Sequence, residues 1–114
     1  MKYIYPILIS LLFNQNIDIN HTLYPDEFIE INNIIIEQNS EAIAYLYMDT
    51  NTNWSQDDSE SSTLTLYINS IDSIGHSQDI VLYNGGQIFE YPISLGQLNA
   101  GTHTLYLNFN SNKS

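Results

Sequence analysis

Apolar and polar residues alternate with a period of two along much of this chain, as in strands that bury one face. In TLTLYIN, residues 63–69, Leu64, Leu66 and Ile68 fall on one side, and Thr63, Thr65, Tyr67 and Asn69 on the other. LNAGTHTLYLNF, residues 98–109, repeats the pattern after a turn at Gly101: Leu105, Leu107 and Phe109 face inward, Thr104, Tyr106 and Asn108 outward. EAIAYLYM, residues 41–48, fits helix or strand by period. Its short length and the β-preferring Tyr45 and Tyr47 favour strand. Residues 28–38 start an alternation at Phe28 and Glu30 that dissolves into Ile34-Ile35-Ile36. In DIVLYNGGQIFEYPISL, Asn84-Gly85 separates two β-prone runs. A type I′ turn needs positive φ at both central residues, so residues 80–83 are expected to pair antiparallel with residues 88–91. Pro92 then removes one ladder donor and suits an edge or a bulge.

The pattern predicts roughly six strands with turn signals between them and no long helix, hence an all-β fold. The expected architecture is an antiparallel β-sandwich, jelly-roll or immunoglobulin-like. Sandwiches of this kind usually carry a further strand beyond a run such as 101–109, whereas the sequence stops at Ser114. The fold is therefore either minimal or lacks a final strand, as one piece of a longer reading frame would.

The first residues, MKYIYPILISLLFNQNID, have two readings. Lys2 followed by an apolar run over residues 3–13 matches a secretory signal, the run being about half of the ~20 residues a membrane span needs. The other reading is a buried first strand, favoured by Pro6 within the run and by the lack of a small-x-small cleavage pattern after Phe13. Export is the preferred reading: residues 1–20 as signal and leader, residues 21–114 as one domain, secreted or at the cell surface, with no membrane insertion after signal removal.

Composition sharpens this. Lys and Arg number 2 against 13 Asp and Glu, a formal net charge of -11. Such a surface repels phosphate backbones, so no nucleic-acid partner is expected, and it attracts divalent cations. With 43% hydrophobic residues the chain can build a core. Without cysteine it has neither disulfides nor thiolate sites.

The densest chemistry lies in MDTNTNWSQDDSE, residues 48–60. Side-chain oxygens at the first, third, fifth, ninth and twelfth positions of a calcium loop would be those of Asp49, Asn51, Asn53, Asp57 and Glu60. Hard cations need such oxygen-rich shells. Trp54 occupies the sixth position, where that template needs glycine, and the flanks read as strands, so a calcium-stabilised loop between strands is the form this idea takes. A second reading is sugar contact: an aromatic face stacks on the C–H face of a pyranose while nearby polar groups bond its hydroxyls. Tyr67 and Tyr106, both on outward faces, join Trp54 as candidate ligand-binding residues. The plain alternative is a hydrated loop with Trp54 folded onto the core edge.

The ending at residues 98–109, of the form L-x-x-G-x-H-x-L-x-L, resembles that of carbohydrate-binding jelly-roll modules appended to polysaccharide-degrading enzymes. It is also similar to a corner of immunoglobulin-like and fibronectin-like domains. The resemblance covers about a tenth of the chain and implies a sandwich and an accessory binding role. His103 within it is expected inward, as a neutral ring bonding across the turn. His21, His76 and His103 have no metal-ligand spacing. The matches to the glycosylation pattern at Asn20, Asn53 and Asn112 are of the kind that chance gives in so Asn-, Ser- and Thr-rich a chain.

Motifs for nucleophilic, metallopeptidase or phosphate-loop chemistry are missing from the sequence. The expected function is that of a non-catalytic extracellular module whose partner is a glycan. The alternative is a structural or adhesin-type protein-interaction domain with no small ligand.

Overall fold

A computed structural model describes residues 1–11, 15–71 and 77–113. The expectation for His76 and the end of the apolar N-terminal run thus lie outside the described residues. Among these described residues eight strands follow in chain order: β1 (Ile4–Leu11), β2 (Gln15–Asp18), β3 (Phe28–Ile36), β4 (Ser40–Thr50), β5 (Ser62–Ile68), β6 (Ser77–Leu82), β7 (Phe89–Leu98) and β8 (Gly101–Phe109). They form two four-stranded antiparallel sheets, β2-β1-β4-β7 and β3-β8-β5-β6. The protein is an all-β sandwich, as the alternation predicts. Among the described residues no helix is long and apolar enough to cross a membrane.

The pairs β5·β6, β4·β7 and β3·β8 nest around one another, as in a long antiparallel ribbon folded over to make two layers. Of the two sandwich schemes, this nesting is that of a jelly roll. It would give β2 a partner following β8, and β1 stands in that place, between β2 and β4. The slot for a further strand is filled from the start of the chain.

β1 is accordingly an inner strand of its sheet. It pairs with β4 from Ile4↔Thr50 to Leu11↔Ala44, with a bulge at Pro6–Leu8 that accommodates the missing proline donor. Ile4, Ile9 and Leu11 sit in the core. The segment read from sequence as an export signal is therefore, in the folded chain, part of the sandwich.

The core lies between the layers. Leu46, Met48 and Ile93 from one sheet meet Leu64, Leu107 and Phe109 from the other, all but fully buried. The run Ile34-Ile35-Ile36 loses its alternation because Asn32 and Asn33 together face Thr104, a bulge that returns Ile34 to the core. Asn33 takes φ 64°, a left-handed conformation that asparagine tolerates.

One expectation is corrected. Residues 80–83 and 88–91 do not pair: β6 belongs to one sheet and β7 to the other. Gly86, at φ 92°, has positive φ, whereas Asn84 and Gly85 do not, so the type I′ turn is not formed. The Asn-Gly signal is local, and here the wider nesting of strands overrides it. Asn84 and Gly85 serve instead as a bridge between sheets, with consequences for Trp54.

Candidate functional site

The chain leaves β4 at Thr50 and immediately spends hydroxyl side chains on a buried anchor. Thr50 Oγ1 donates to the Tyr3 carbonyl at 2.8 Å, lies 3.0 Å from Thr52 Oγ1, and Thr52 Oγ1 donates to the Leu82 carbonyl at 3.2 Å. Ser62 Oγ bonds Thr52 Oγ1 at 3.2 Å. Thr50, Thr52 and Ser62 are all essentially buried, so these bonds satisfy groups that would otherwise cost about 1–3 kcal/mol each. The anchor ties both ends of the loop 51–61 to the end of β6.

Above this anchor the loop is self-capped. Asn53 Oδ1 accepts from the amide of Ser55 at 3.1 Å and from its hydroxyl at 2.8 Å, and the Gln56 amide donates to the Asn53 carbonyl. This is the local side-chain mimicry of a turn for which asparagine is favoured. The Trp54 amide donates to the Tyr83 carbonyl at 3.0 Å, and Asn53 bridges Asn84. Trp54 is thus held at an apex with its backbone fixed.

Trp54 is 73% exposed, and its indole meets the ring of Tyr83, a residue 41% exposed, edge to face, with centroids 5.5 Å apart and planes at 67°. This geometry suits the ring quadrupoles and leaves much of the indole to solvent. The plain sequence reading, with Trp54 folded onto the core edge, does not hold. Tyr91, half-buried nearby, has its phenol pKa raised first by burial, then by the proximity of Tyr83 and Asp49. The corner is therefore aromatic, with polar Asn53, Ser55 and Gln56 around it and the exposed carboxylates Asp57 and Asp58 farther along the same loop.

The five residues considered as calcium ligands have other partners or stand apart. Asp49 Oδ1 accepts from the amides of Thr50 at 2.8 Å and Gly86 at 3.1 Å. Asn51 Oδ1 accepts from the Tyr3 amide and its Nδ2 donates to the Met1 carbonyl, tying down the N-terminus. Asn53 caps its own turn, Glu60 Oε1 accepts from the Asp58 amide at 3.2 Å, and Asp57 is exposed. Among the described residues no group of three or more His, Asp or Glu is disposed to hold a metal ion.

Tyr67 and Tyr106 come together as the sequence pattern implies, directly opposite each other across β5 and β8. Tyr106 Oη donates to Glu30 Oε1 at 3.4 Å. Trp54 does not join them. Tyr67 pairs with Ser77 at one end of β6, whereas Tyr83 follows Leu82 at the other, roughly 17 Å away along the strand. His103 is structural, as expected: Nε2 lies 2.7 Å from the Asn99 carbonyl, across the turn, and Nδ1 lies 2.9 Å from Asn69 Nδ2. A ring protonated on Nε2 alone satisfies both contacts.

Tyr83 is the residue that sequence reasoning missed. It stands beside the Asn-Gly pair, where the sequence pattern reads as one arm of a hairpin. Only the crossing of the chain between sheets brings it under Trp54. Comparison with protein-family models, with curated proteins and with solved structures gave no match.

Proposed function

We propose that the protein is a non-catalytic β-sandwich module that binds glycan through the Trp54–Tyr83 corner. The observation that carries this is the exposure of Trp54, whose amide is held by the Tyr83 carbonyl and whose indole meets the Tyr83 ring. Displaying so much apolar surface on a rigid apex lacks a packing reason, and a pyranose C–H face gives it one. Asn53, Ser55 and Gln56 supply neutral donors and acceptors for hydroxyls beside the ring. The resemblance of residues 98–109 to carbohydrate-binding jelly-roll modules supports the same reading. Affinity electrophoresis through gels of soluble polysaccharides tests it: wild type should be retarded in at least one gel, and Trp54→Ala should run freely. Equal mobility of both proteins in every gel rejects it. Tyr67→Ala and Tyr106→Ala report whether the other aromatic pair takes part.

An adhesin-type protein contact is the second reading. The facing edge strands β6 and β7 leave ladder groups open, and Val81 and Ile88 beside them are 51% and 59% exposed. Open edges recruit partner strands. Concentration-dependent association that Val81→Lys abolishes would favour it.

A further inference from the structure

On the side away from β6 and β7 the sandwich is bounded by the other two edge strands, β2 and β3. These do not pair, and between them lies a cleft of about 250 Å³, lined by Ile17, Asp18 and Ile19 and by residues 29–33 of β3. Its apolar lining can be reached from outside: Ile17, Ile19 and Ile29 are only half-buried, while Asp18 and Glu30 are exposed.

Beside this cleft β3 turns backbone groups away from β8. The Phe109 amide donates to the Glu27 carbonyl at 3.1 Å, which makes those two residues a bonded pair. Bonded and non-bonded pairs alternate in an antiparallel ladder. Phe28 and Glu30, opposite Asn108 and Tyr106, therefore point their amides and carbonyls toward the open edge. Farther along, the same edge already holds a peptide-like group. Gln15 Nε2 donates to the Asn33 carbonyl at 2.8 Å, and the Ile35 amide donates to Gln15 Oε1 at 3.0 Å. A carboxamide thus stands where an added strand would place its own amide. Among the described residues no strand does the same at Phe28 and Glu30.

Charge decides which strand fits. Asp18 and Glu30 stand on the rim, and the exposed Asp26 and Glu27 lie just before β3. The chain's two cationic side chains are engaged elsewhere, Lys2 on the Ser61 carbonyl and Lys113 on Asp79. A second copy of the chain, at net charge -11, would bring like charge to an acidic edge. We infer that β3 takes up, from Phe28 to Ile31, an extended cationic segment of another protein as an added strand. The segment's backbone bonds the amides and carbonyls of Phe28 and Glu30. Its inward side chains are apolar and rest on Ile17, Ile19 and Ile29, and its outward ones are lysine or arginine, facing Glu30 and Asp18. A cavity of about 150 Å³ holds benzene, so this cleft admits one or two branched aliphatic side chains. The bulge at Asn32 and Asn33, with Gln15 beyond it, ends the open stretch. This contact does not rest on Trp54 binding a glycan.

Amide NMR of the full chain, titrated with a short blocked peptide of alternating lysine and valine, tests the inference. Saturable shifts should fall on the amides of β3 from Phe28 to Ile31. A peptide of alternating glutamate and valine should bind about tenfold more weakly or worse. The lysine peptide N-methylated throughout, which keeps its charge but has no ladder donors, should leave those amides unmoved. Glu30→Lys should reverse the preference in favour of the glutamate peptide, whereas Glu90→Lys, the same charge change on β7, should not. Four results overturn the inference: no shift on β3 with the lysine peptide at millimolar concentration, equal shifts with its N-methylated form, equal weakening by Glu30→Lys and Glu90→Lys, or the same shifts on concentrating the chain alone, which would make a second copy the occupant.

Discussion

The amide of Gly85 donates a 2.8 Å hydrogen bond to the carbonyl oxygen of Thr52, and a Cβ placed on Gly85 would stand 2.6 Å from that same oxygen. The Thr50 carbonyl oxygen would be 2.7 Å away. Both obstacles are backbone and cannot swing aside. Glycine is needed here for close approach rather than for its φ. Gly85→Ala should therefore destabilise the fold by about 1–3 kcal/mol, as overpacking does, and should loosen the loop that carries Trp54. Thermal unfolding and fluorescence anisotropy of the single tryptophan check this together. An unchanged melting temperature would mean that the crossing does not dock on β4 as described.

Removal of residues 1–20 should abolish cooperative unfolding. It takes away β1 and β2, deletes Ile4, Ile9 and Leu11 from the core, and bares the edge of β4. Losing one large buried side chain alone costs about 2–5 kcal/mol, of the order of a domain's whole stability when summed over these residues. A truncated chain that melts at the wild-type temperature would show that residues 21–114 suffice, as a cleaved signal requires.

Much of this architecture is legible in the sequence, for a physical reason. Leu64, Leu66, Leu105, Leu107 and Phe109 alternate because each strand has one face in the core, and all five are buried. Period does not encode which strands pair. The Asn84-Gly85 signal describes a turn that two adjacent residues could make. The nesting of β4 with β7 and of β5 with β6 is settled by many contacts remote in sequence. The same gap hides the site. Trp54 is conspicuous as the chain's one tryptophan, but its partner Tyr83 lies in the crossing that follows β6. Tyr67 and Tyr106 share a face by alternation, whereas their separation from Trp54 depends on strand length and order. Thr63 and Thr65, on the outward face by pattern, are buried because the last turn, Ser111–Lys113, folds over them and Lys113 reaches Asp79.

That last contact sets an acid dependence. Lys113 Nζ lies 2.7 Å from Asp79 Oδ2, and Thr65 Oγ1 donates to Asp79 Oδ1 at 2.6 Å. The Lys113 bond first, then the Thr65 bond, lowers the Asp79 pKa, and the same ion pair raises that of Lys113. A carboxylate with a lowered folded pKa stabilises fully above its unfolded value of about 3.9 and loses that contribution as pH falls through the folded one. Both groups are partly exposed, so the effect is small and screened by salt. Asp79→Asn should melt slightly below wild type at pH 7, with the gap closing below about pH 4. A gap that widens in acid would contradict the pairing.

Calcium should change little. Asp49, Asn51, Asn53 and Glu60 accept hydrogen bonds from the amides of Gly86, Tyr3, Ser55 and Asp58, so an ion would have to displace them. Millimolar calcium is expected to leave the melting temperature where a chelator leaves it. A rise of several degrees, reversed by chelation, would show binding to the folded state and a loop rearranged around the ion.

The proposed glycan-binding role rests on Trp54, held at the loop apex and largely exposed. Because the chain has one tryptophan, its fluorescence reports that corner and nothing else. Titration with soluble oligosaccharides drawn from whichever polysaccharide retards the protein should give a saturable change in emission that plateaus with binding measured by calorimetry. Calorimetric binding of those oligosaccharides with flat tryptophan emission would contradict the account.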